Sequence, residues 1–445
     1  MVAPKPSPVE IFRAISVERA QVYTFLLRST SSIYCVAESF DLRFKKIAIG
    51  AIAAVVFVGS VGWFSLDKET RGLLKTVPTN RDLLFWTVPQ RDAAFRALDR
   101  ISVLAKWHVI PASSAPKPLP QGEPLKLNIE LDASMASQRS AAIVVLHKGK
   151  LRLERYGLGF DQDGRWTSFS VAKSFTSTLV GAALRDGFIK SMDDKVSDYI
   201  PDMKGSAYDD VSVRQLLTMT SGVRWNEDYA DPNSDVARFN NHQPEPGVDA
   251  LVSYMRQLPR DVPAGTRWLY STGETNLVGI LLNQATQKPL ADYLYEKVWN
   301  PVGMEQQATW LLSKTGQEIS GCCLQAATRD FARFGQFILQ GATMNGQSIV
   351  PEGWLDQATT RQTPIGVPGQ GYGYQWWTFD DGTYMARGIF GQAIFLDPQR
   401  QLVIASNANW AAGARDPAAS QARDALHRAV QDAVDRESAA AAFPR

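Results

Sequence analysis

A serine and a lysine three residues apart open an apolar stretch, "SFSVAKSFTSTLVGAALRDG", at residues 168–187. Serine and threonine surround its start, as is typical of helix N-termini, so Ser170 is predicted in the first turn near unpaired N–H groups. Lys173 would then lie one turn away on the same face. Burial against apolar groups lowers an amine pKa, and a neutral Lys173 could take the proton of Ser170. Alone, the pattern fits equally a helix cap followed by a surface lysine.

A tyrosine precedes a second apolar helix pattern. "PAGTRWLYSTGETNLVGILL" places Tyr270-Ser271-Thr272 in a loop just ahead of that helix. A nearby lysine ammonium would favour the phenolate form of Tyr270, which could relay protons between nucleophile and leaving group. The alternative is a buried tyrosine with a satisfied hydroxyl.

Two glycines flank the start of a strand pattern near the C-terminus, in "ARGIFGQAIFLD". A covalent acyl-enzyme needs a strand edge along which substrate can lie and a backbone N–H directed at the oxyanion. Gly388 and Gly391 would allow that close approach. The alternative is a bulge or a tight strand entry.

Two similar motifs are set aside. Ser114 and Lys117 repeat the three-residue spacing, but Pro116 between them opposes a helix that would align them. Lys314-Thr315-Gly316 is followed by the helix pattern "QAATRDFARFGQFILQG" instead of a strand, so it is not expected to be part of the site.

Together these segments resemble the serine β-lactamase and penicillin-recognising superfamily, which carries a Ser-x-x-Lys signature. Within it, the chain is similar to the class C-like branch of esterases and 6-aminohexanoate-dimer hydrolases. The resemblance covers about residues 130–435. It rests on "SFSVAKSFTSTLVG", "LLTMTSGVRW", "PAGTRWLYSTGETNLVG" and "ARGIFGQ", in this order.

The resemblance implies a role for each matching residue. Ser170 would be the acylating nucleophile, Lys173 its base partner and Tyr270 the catalytic tyrosine. The backbone N–H groups of Ser170 and Ile389 would form the oxyanion hole. The residues predicted to contact substrate are Tyr229, from the polar aromatic loop "RWNEDYADPNSDVARF", and Gly388, Gly391 and Gln392.

The chain departs from the family pattern at two places. Thr272 stands where many relatives have the asparagine of Tyr-x-Asn, so that amide is missing. Ala386-Arg387-Gly388 stands where β-lactamases and transpeptidases have Lys-Thr-Gly, whose lysine helps bind the carboxylate of a β-lactam or a D-Ala-D-Ala end. Its loss argues against both substrates. Whether Arg387 replaces this charge stays open, because strand alternation could point it away.

These observations predict a serine hydrolase that cleaves a small ester or linear amide through an acyl-enzyme. The alternatives are a D,D-peptidase or weak β-lactamase acting on cell wall, and a non-catalytic wall-binding protein. The four histidines are far apart without ligand spacing, so neither a metal nor an organic cofactor is expected. A net charge of +2 gives no argument for a nucleic-acid partner. The oligomeric state is not predicted.

The elements that must position these residues follow from periodicity. "AAIVVLHKGKLRLERYG" predicts two strands around a Lys-Gly turn, and residues 170–185 predict a helix that ends near Gly187. "YMARGIFGQAIFLDPQRQLVIASN" returns to strands, and "PAASQARDALHRAVQDAVDR" predicts a terminal amphipathic helix. Strands at both ends therefore predict an α/β, β-lactamase-like fold: one antiparallel sheet flanked by helices, with a mostly helical subdomain.

An uncharged run, "IAIGAIAAVVFVGSVGWFSL", has the length of a transmembrane helix. Arg43, Lys45 and Lys46 precede it and favour a cytoplasmic N-terminus, with the catalytic domain periplasmic or extracellular. A cleaved signal peptide and a buried core helix are the alternatives. The predicted segments are a cytoplasmic segment (1–46), a membrane anchor (47–66), a helical segment with a Pro-rich linker (67–125) and the hydrolase domain (126–440).

Composition agrees with a globular enzyme: 45% of the 445 residues are apolar and 21% are charged. Three cysteines exclude a disulfide scaffold. Cys322 and Cys323 are adjacent, and since neighbouring cysteines rarely pair, they are expected to be small buried residues.

Overall fold

The computed structural model describes residues 42–76, 83–100 and 105–442. The chain divides into two units between Arg71 and Gly72. The second unit holds all the strands, which in chain order are β1 (Trp107–Ile110), β2 (Ser140–His147), β3 (Lys150–Tyr156), β4 (Trp166–Thr167), β5 (Ala308–Leu311), β6 (Leu324–Ala326), β7 (Thr343–Met344), β8 (Gln347–Ser348), β9 (Thr363–Pro364), β10 (Gln370–Tyr372), β11 (Trp377–Phe379), β12 (Tyr384–Arg387), β13 (Ala393–Asp397) and β14 (Leu402–Ala408).

Helices provide most of the regular secondary structure between β4 and β9, and one long helix follows β14. The α-helices are α1 (Leu42–Ser65), α2 (Lys68–Lys75), α3 (Val88–Ala94), α4 (Leu131–Ser137), α5 (Ala172–Arg185), α6 (Val196–Tyr199), α7 (Val213–Leu217), α8 (Asp235–Arg238), α9 (Ala250–Met255), α10 (Thr272–Thr286), α11 (Leu290–Leu294), α12 (Asn300–Val302), α13 (Thr328–Leu339), α14 (Trp354–Thr359) and α15 (Pro417–Ala442). Short 3₁₀ turns are found at Leu83–Phe85, Phe169–Val171, Pro201–Met203, Phe239–Asn241 and Gly413–Arg415, and a π-helical segment at Tyr295–Trp299.

The main sheet has eight strands in the order β3-β2-β14-β13-β12-β11-β10-β9. Every neighbouring pair is antiparallel. The N-terminal hairpin β2–β3 joins the C-terminal strands through β14, where Val144 faces Ala405. This confirms the predicted antiparallel sheet built from both ends of the chain. The predicted Lys-Gly turn is also present, with Lys148 and Gly149 at φ 51° and 73°.

Helices cover both faces of this sheet. Every residue of β2 and β14 is buried, since central strands are covered on both sides. Leu426, Val430 and Val434 of α15 pack on one face. On the other face, the core formed with α5, α10 and α13 includes Phe175 and Phe334, whose rings stack with centroids 3.6 Å apart. The helix α5 is thereby held rigidly against the sheet.

A second, smaller sheet has the strand order β1-β5-β6-β4. Its strands are two to four residues long, too short for the sequence pattern to reveal them. In it, β4 pairs with β6 through Trp166 opposite Ala326 and Thr167 opposite Gln325. Because β4 leads directly to Ser168 and Ser170, this sheet positions the start of α5.

The N-terminal apolar run lies within α1, but within the described residues no helix is long and apolar enough to cross a membrane. The finding contradicts the transmembrane helix predicted at 47–66, the membrane partner and the single-pass membrane anchoring. Residues 1–41 of the predicted N-terminal segment lie outside the described part.

Candidate active site

A strained turn presents Ser170 at the start of α5. Phe169, in the 3₁₀ turn between β4 and α5, has φ 43°, a left-handed conformation that a bulky residue rarely adopts. Ser168 holds this turn to β6: its N–H donates to the Leu324 carbonyl at 2.8 Å, and its Oγ accepts the Leu324 N–H at 3.1 Å. The turn leaves Ser170 partly exposed at a helix N-terminus, where an oxygen anion is favoured.

Lys173 lies next to this serine in a closed environment, with only 1% of its surface exposed. Its Nζ is 3.3 Å from Ser170 Oγ, 3.1 Å from Thr272 Oγ1 and 2.7 Å from the Gly321 carbonyl oxygen. Burial lowers the pKa of Lys173 to about 8, against a smaller opposite effect of Glu227. About one tenth of the Lys173 amine is therefore neutral at pH 7, far more than for an ordinary lysine.

Tyr270 completes the cluster from the loop that precedes α10. The Nζ of Lys173 lies 5.3 Å from the centroid of the Tyr270 ring, which stacks on Trp377 at 5.6 Å. Burial, and then the negative charge of Glu227, raise the pKa of Tyr270, while a hydrogen bond with Ser170 lowers it less. Tyr270 is therefore a neutral phenol at ordinary pH, which corrects the expected phenolate: burial, and then the Glu227 carboxylate, keep the proton on the hydroxyl.

The loop after β12 carries the second predicted oxyanion donor. The backbone N–H of Ile389 makes no hydrogen bond to any residue of the described part of the chain. Its neighbours are held in place: the Gly388 N–H donates to the Gln392 carbonyl at 2.7 Å, and the Phe390 N–H donates to Gln392 Oε1 at 3.2 Å. The Ile389 donor thus stands free on an ordered loop.

Three phenylalanines join the two segments that carry the predicted oxyanion donors. Phe169 directly precedes Ser170, Phe390 directly follows Ile389, and their ring centroids are 5.0 Å apart. Phe95, just after α3, contacts both rings, at 4.9 Å and 5.3 Å. Since aromatic pairs of this kind add stability beyond their buried area, the cluster fixes the spacing of the two backbone donors. Widely separated phenylalanines gave no sequence signal for it.

The residues predicted to contact substrate divide into two groups. Gln392 is buried, and its Nε2 donates to the Ala408 carbonyl while its Oε1 supports the loop, so its side chain is used within the protein. Gly391 has φ 95° and lies against Trp410. Tyr229, in contrast, reaches the cluster, since its hydroxyl donates to Glu227 Oε1 at 2.6 Å.

Gly388 lies where any side chain would collide with the turn that carries Ser168 and Ser170. An added Cβ would stand 2.9 Å from the Ser168 carbonyl oxygen and 2.5 Å from Gln392 Oε1. Gly388→Ala is therefore expected to lower kcat/KM by about tenfold to a hundredfold and to destabilise the fold by about 1–3 kcal/mol. Ester turnover and thermal unfolding measure both. Gly62→Ala, whose Cβ would meet nothing within 4 Å, is the control; equal effects of the two changes would contradict the prediction.

Glu227 is a site residue that the sequence analysis missed. Its carboxylate accepts hydrogen bonds from Trp225 Nε1, the Tyr229 hydroxyl, and both the N–H and the hydroxyl of Thr272. Its position between Trp225 and Tyr229 in a predicted pocket loop was the available signal.

Cys322 and Cys323 form a disulfide bond, contrary to the expectation that these neighbours stay unpaired. Cys323 has φ 74°, and this left-handed turn accompanies the pairing. The bond lies between Gly321, whose carbonyl accepts Lys173, and Leu324, which holds Ser168. The disulfide therefore closes the segment that supports both members of the Ser-x-x-Lys pair.

Arg387 points its side chain to the same face of β12 as Met385, and Ala386 points to the face of α5. The Arg387 guanidinium lies over the rings of Trp377 and Phe379, at 5.1 Å and 5.2 Å. Strand alternation thus places no β12 cation where the family lysine would stand.

The Lys314-Thr315-Gly316 sequence lies on an exposed turn. There Lys314 Nζ donates to Asn241 Oδ1 at 3.2 Å, and the Thr315 hydroxyl donates to Asp249. Within the ranges that the structure describes, no group of three or more histidine, cysteine or acidic side chains is placed to hold a metal ion.

Comparison with known proteins agrees with this arrangement. The Beta-lactamase family model matches residues 130–429. The 6-aminohexanoate-dimer hydrolase of Paenarthrobacter ureafaciens is 28% identical over 298 residues, covering 63% of this chain and 75% of the relative. A structure from Bacillus anthracis, given as a candidate 6-aminohexanoate-dimer hydrolase, has a TM-score of 0.68 at 22% identity and covers 80% of this chain and 96% of its own.

A family VIII carboxylesterase has the same fold, with a TM-score of 0.53 at 17% identity, over 69% of this chain and 99% of its own. The family model spans well over half of the sequence. The protein therefore belongs to the Beta-lactamase family and is a serine hydrolase of that family.

Proposed function

We propose that the protein hydrolyses esters or linear amides through an acyl-enzyme on Ser170. The observation that carries the proposal is the 3.3 Å distance between Ser170 Oγ and the buried Nζ of Lys173. A hydroxyl is a weak nucleophile unless a base takes its proton, and an amine with its pKa lowered to about 8 is such a base. Lys173 and Tyr270 are the proposed proton-transfer groups.

In the proposed acylation, neutral Lys173 accepts the Ser170 proton while Oγ forms a bond to the substrate carbonyl carbon. The carbonyl π electrons move to its oxygen, and the backbone N–H groups of Ser170 and Ile389 would stabilise that oxyanion. When the tetrahedral intermediate collapses, the bond to the leaving group breaks and its electron pair stays on the leaving oxygen or nitrogen. The phenol of Tyr270 donates a proton to that atom and regains one from the Lys173 ammonium.

Deacylation repeats these transfers with water in place of serine. Water gives a proton to Lys173 and attacks the acyl carbon. Ser170 Oγ then leaves and takes a proton back from the Lys173 ammonium. Tyr270 suits a donor role because its raised pKa keeps the phenol protonated.

Ala386 and Arg387 support a substrate without the carboxylate of a β-lactam. Ala386 offers a methyl group where the family lysine would bind that carboxylate, and Arg387 packs over Trp377 and Phe379. One relative is named as a hydrolase of 6-aminohexanoate dimer, and one solved structure as a carboxylesterase. Esters and linear amides are therefore favoured over a D,D-peptidase or β-lactamase activity.

A substrate and labelling panel tests this proposal. A fluorophosphonate probe is expected to modify Ser170, identified by peptide mass spectrometry, and p-nitrophenyl esters are expected to turn over. Nitrocefin and fluorescent penicillin should react poorly, with kcat/KM at least about a hundredfold below that of the best ester, since a lost charge contact costs a few kcal/mol. The linear 6-aminohexanoate dimer belongs in the panel as the amide. Efficient nitrocefin cleavage would favour the β-lactamase alternative, and labelling of another serine would overturn the proposal.

A further inference from the structure

The carboxylate of Glu227 is surrounded by hydrogen-bond donors. Oε1 accepts from the hydroxyls of Tyr229 and Thr272, and Oε2 accepts from Trp225 Nε1 and from the Thr272 N–H, the last at 3.0 Å. Four donors use the full acceptor capacity of an ionised carboxylate. Thr272 alone supplies two of them, from the first turn of α10, so the loop carrying Glu227 is tied to that residue.

The direction of the hydrogen bond made by the Thr272 hydroxyl determines whether Thr272 Oγ1 can only accept from Lys173 Nζ. Because the hydroxyl proton of Thr272 points to Glu227, its oxygen can only accept a hydrogen bond from Lys173 Nζ, 3.1 Å away. The Gly321 carbonyl, 2.7 Å from Nζ, is also solely an acceptor. A neutral amine has two N–H bonds and one lone pair. With both N–H bonds directed at these acceptors, the lone pair is left for Ser170 Oγ at 3.3 Å.

We propose that Glu227 is a positioning residue that orients the lone pair of Lys173 toward Ser170 through the hydroxyl of Thr272. This inference rests on the proposed function, since it assigns how the base of that reaction is held. It also accounts for the threonine at position 272, where many relatives have asparagine. Because the Thr272 hydroxyl donates to the Glu227 carboxylate, its oxygen is left as an acceptor for Lys173.

Replacing the Glu227 carboxylate by an amide allows the hydrogen bond between residue 227 and the Thr272 hydroxyl to reverse its direction. Glutamine at 227 places an N–H₂ group against two of the four donors, so the amide can donate to Thr272 Oγ1. The Thr272 proton is then free to turn toward Lys173 and occupy the lone pair that the reaction needs.

The negative charge of residue 227 also disappears in this variant. Since Glu227 raises the pKa of Lys173, its replacement lowers that pKa. Tyr270 and Glu227 are the titratable groups that face Lys173; Glu274, next along α10, faces Ser221 and Tyr208.

The test compares single and double variants in a p-nitrophenyl ester assay. Glu227→Gln is expected to lower kcat by about tenfold to a hundredfold, within the range of a misaligned general base, with KM within about threefold. The midpoint of its pH–rate profile should move to lower pH. Thr272→Val should lower kcat similarly without that acid shift, because the carboxylate remains. Thr272→Ser keeps the hydroxyl and should stay within about threefold of the parent. The double variant Glu227→Gln/Thr272→Val should lose no more than the worse single change, as expected for groups acting in one chain.

Thermal unfolding of each variant separates positioning from loss of structure. A merely structural Glu227 would lower Tm, and its effect on kcat would add to that of Thr272→Val. That additivity overturns the inference, as does a Glu227→Gln kcat within twofold of the parent. These failures differ from failure of the proposed function, because fluorophosphonate labelling of Ser170 in the parent protein would still hold.

Discussion

Ser170→Ala is expected to lower kcat/KM for p-nitrophenyl esters by at least about a thousandfold, because no acyl-enzyme can form without the hydroxyl. The Oγ of Ser170 lies 3.3 Å from the Lys173 amine, in the turn that opens α5. What remains should be the slow attack of water in a site that still binds substrate. Fluorophosphonate labelling should disappear with the activity, and Tm should change little because Ser170 is partly exposed.

The matched control is Ser177→Ala, in the same helix. Ser177 is buried, and its Oγ makes no hydrogen bond to the residues that the structure describes, so removing it costs no partner. Its kcat/KM should stay within about twofold of the parent. Retention of ester turnover in Ser170→Ala would end the proposed mechanism, and a comparable loss in Ser177→Ala would mean that packing of α5, not chemistry, is being measured.

Contiguous patterns could be predicted well. The hairpin of β2 and β3, helix α5, the strands β12 to β14 and helix α15 each carry their own periodicity, so each was recognised within one segment. Elements of two or three residues have no period to recognise. The strands β4 and β6, which place Ser168 against Leu324, were therefore missed although they position the nucleophile.

Partners distant in sequence were also beyond prediction. Glu227 meets Thr272 across 45 positions, and Gly321 meets Lys173 across 148. Such contacts depend on how helices and loops pack against each other, and the pattern of a single segment does not reveal this packing. The pairing of Cys322 with Cys323 required a left-handed backbone at Cys323, a conformation that sequence spacing does not reveal.

Charge states depend on surroundings more than on motifs. Tyr270 was predicted to relay protons between nucleophile and leaving group, with its phenolate form favoured by the charge of a nearby lysine. Burial acts on both groups and Glu227 adds a negative charge, so the pKa of Lys173 is lowered and that of Tyr270 is raised. The motif predicted which residues lie near one another, whereas burial, and then the charge of Glu227, sets their pKa values.

Lys173→Met is expected to lower kcat by about a thousandfold or more, toward the upper range of general-base catalysis, with KM within about threefold. Methionine keeps an unbranched apolar chain in a position that is 1% exposed, so the main change is loss of the amine. Lys173→Arg should be similarly inactive, since a guanidinium keeps the positive charge but does not lose its proton at working pH. That pair of variants separates a base from a fixed charge: an active arginine variant would show that charge alone suffices.

The pH profile of the parent protein provides the same distinction without mutation. Burial is the largest cause of the lowered Lys173 pKa of about 8, and the reacting form is the neutral amine. Protonation below that pH removes the base, so kcat/KM should rise with pH, by about tenfold between pH 7 and 9, and level off above. The slower alkaline reaction of an ester with hydroxide is subtracted using Ser170→Ala. A flat profile, or one that falls across this range, would mean that Lys173 acts as a cation, and the lone-pair argument for Glu227 would fall with it.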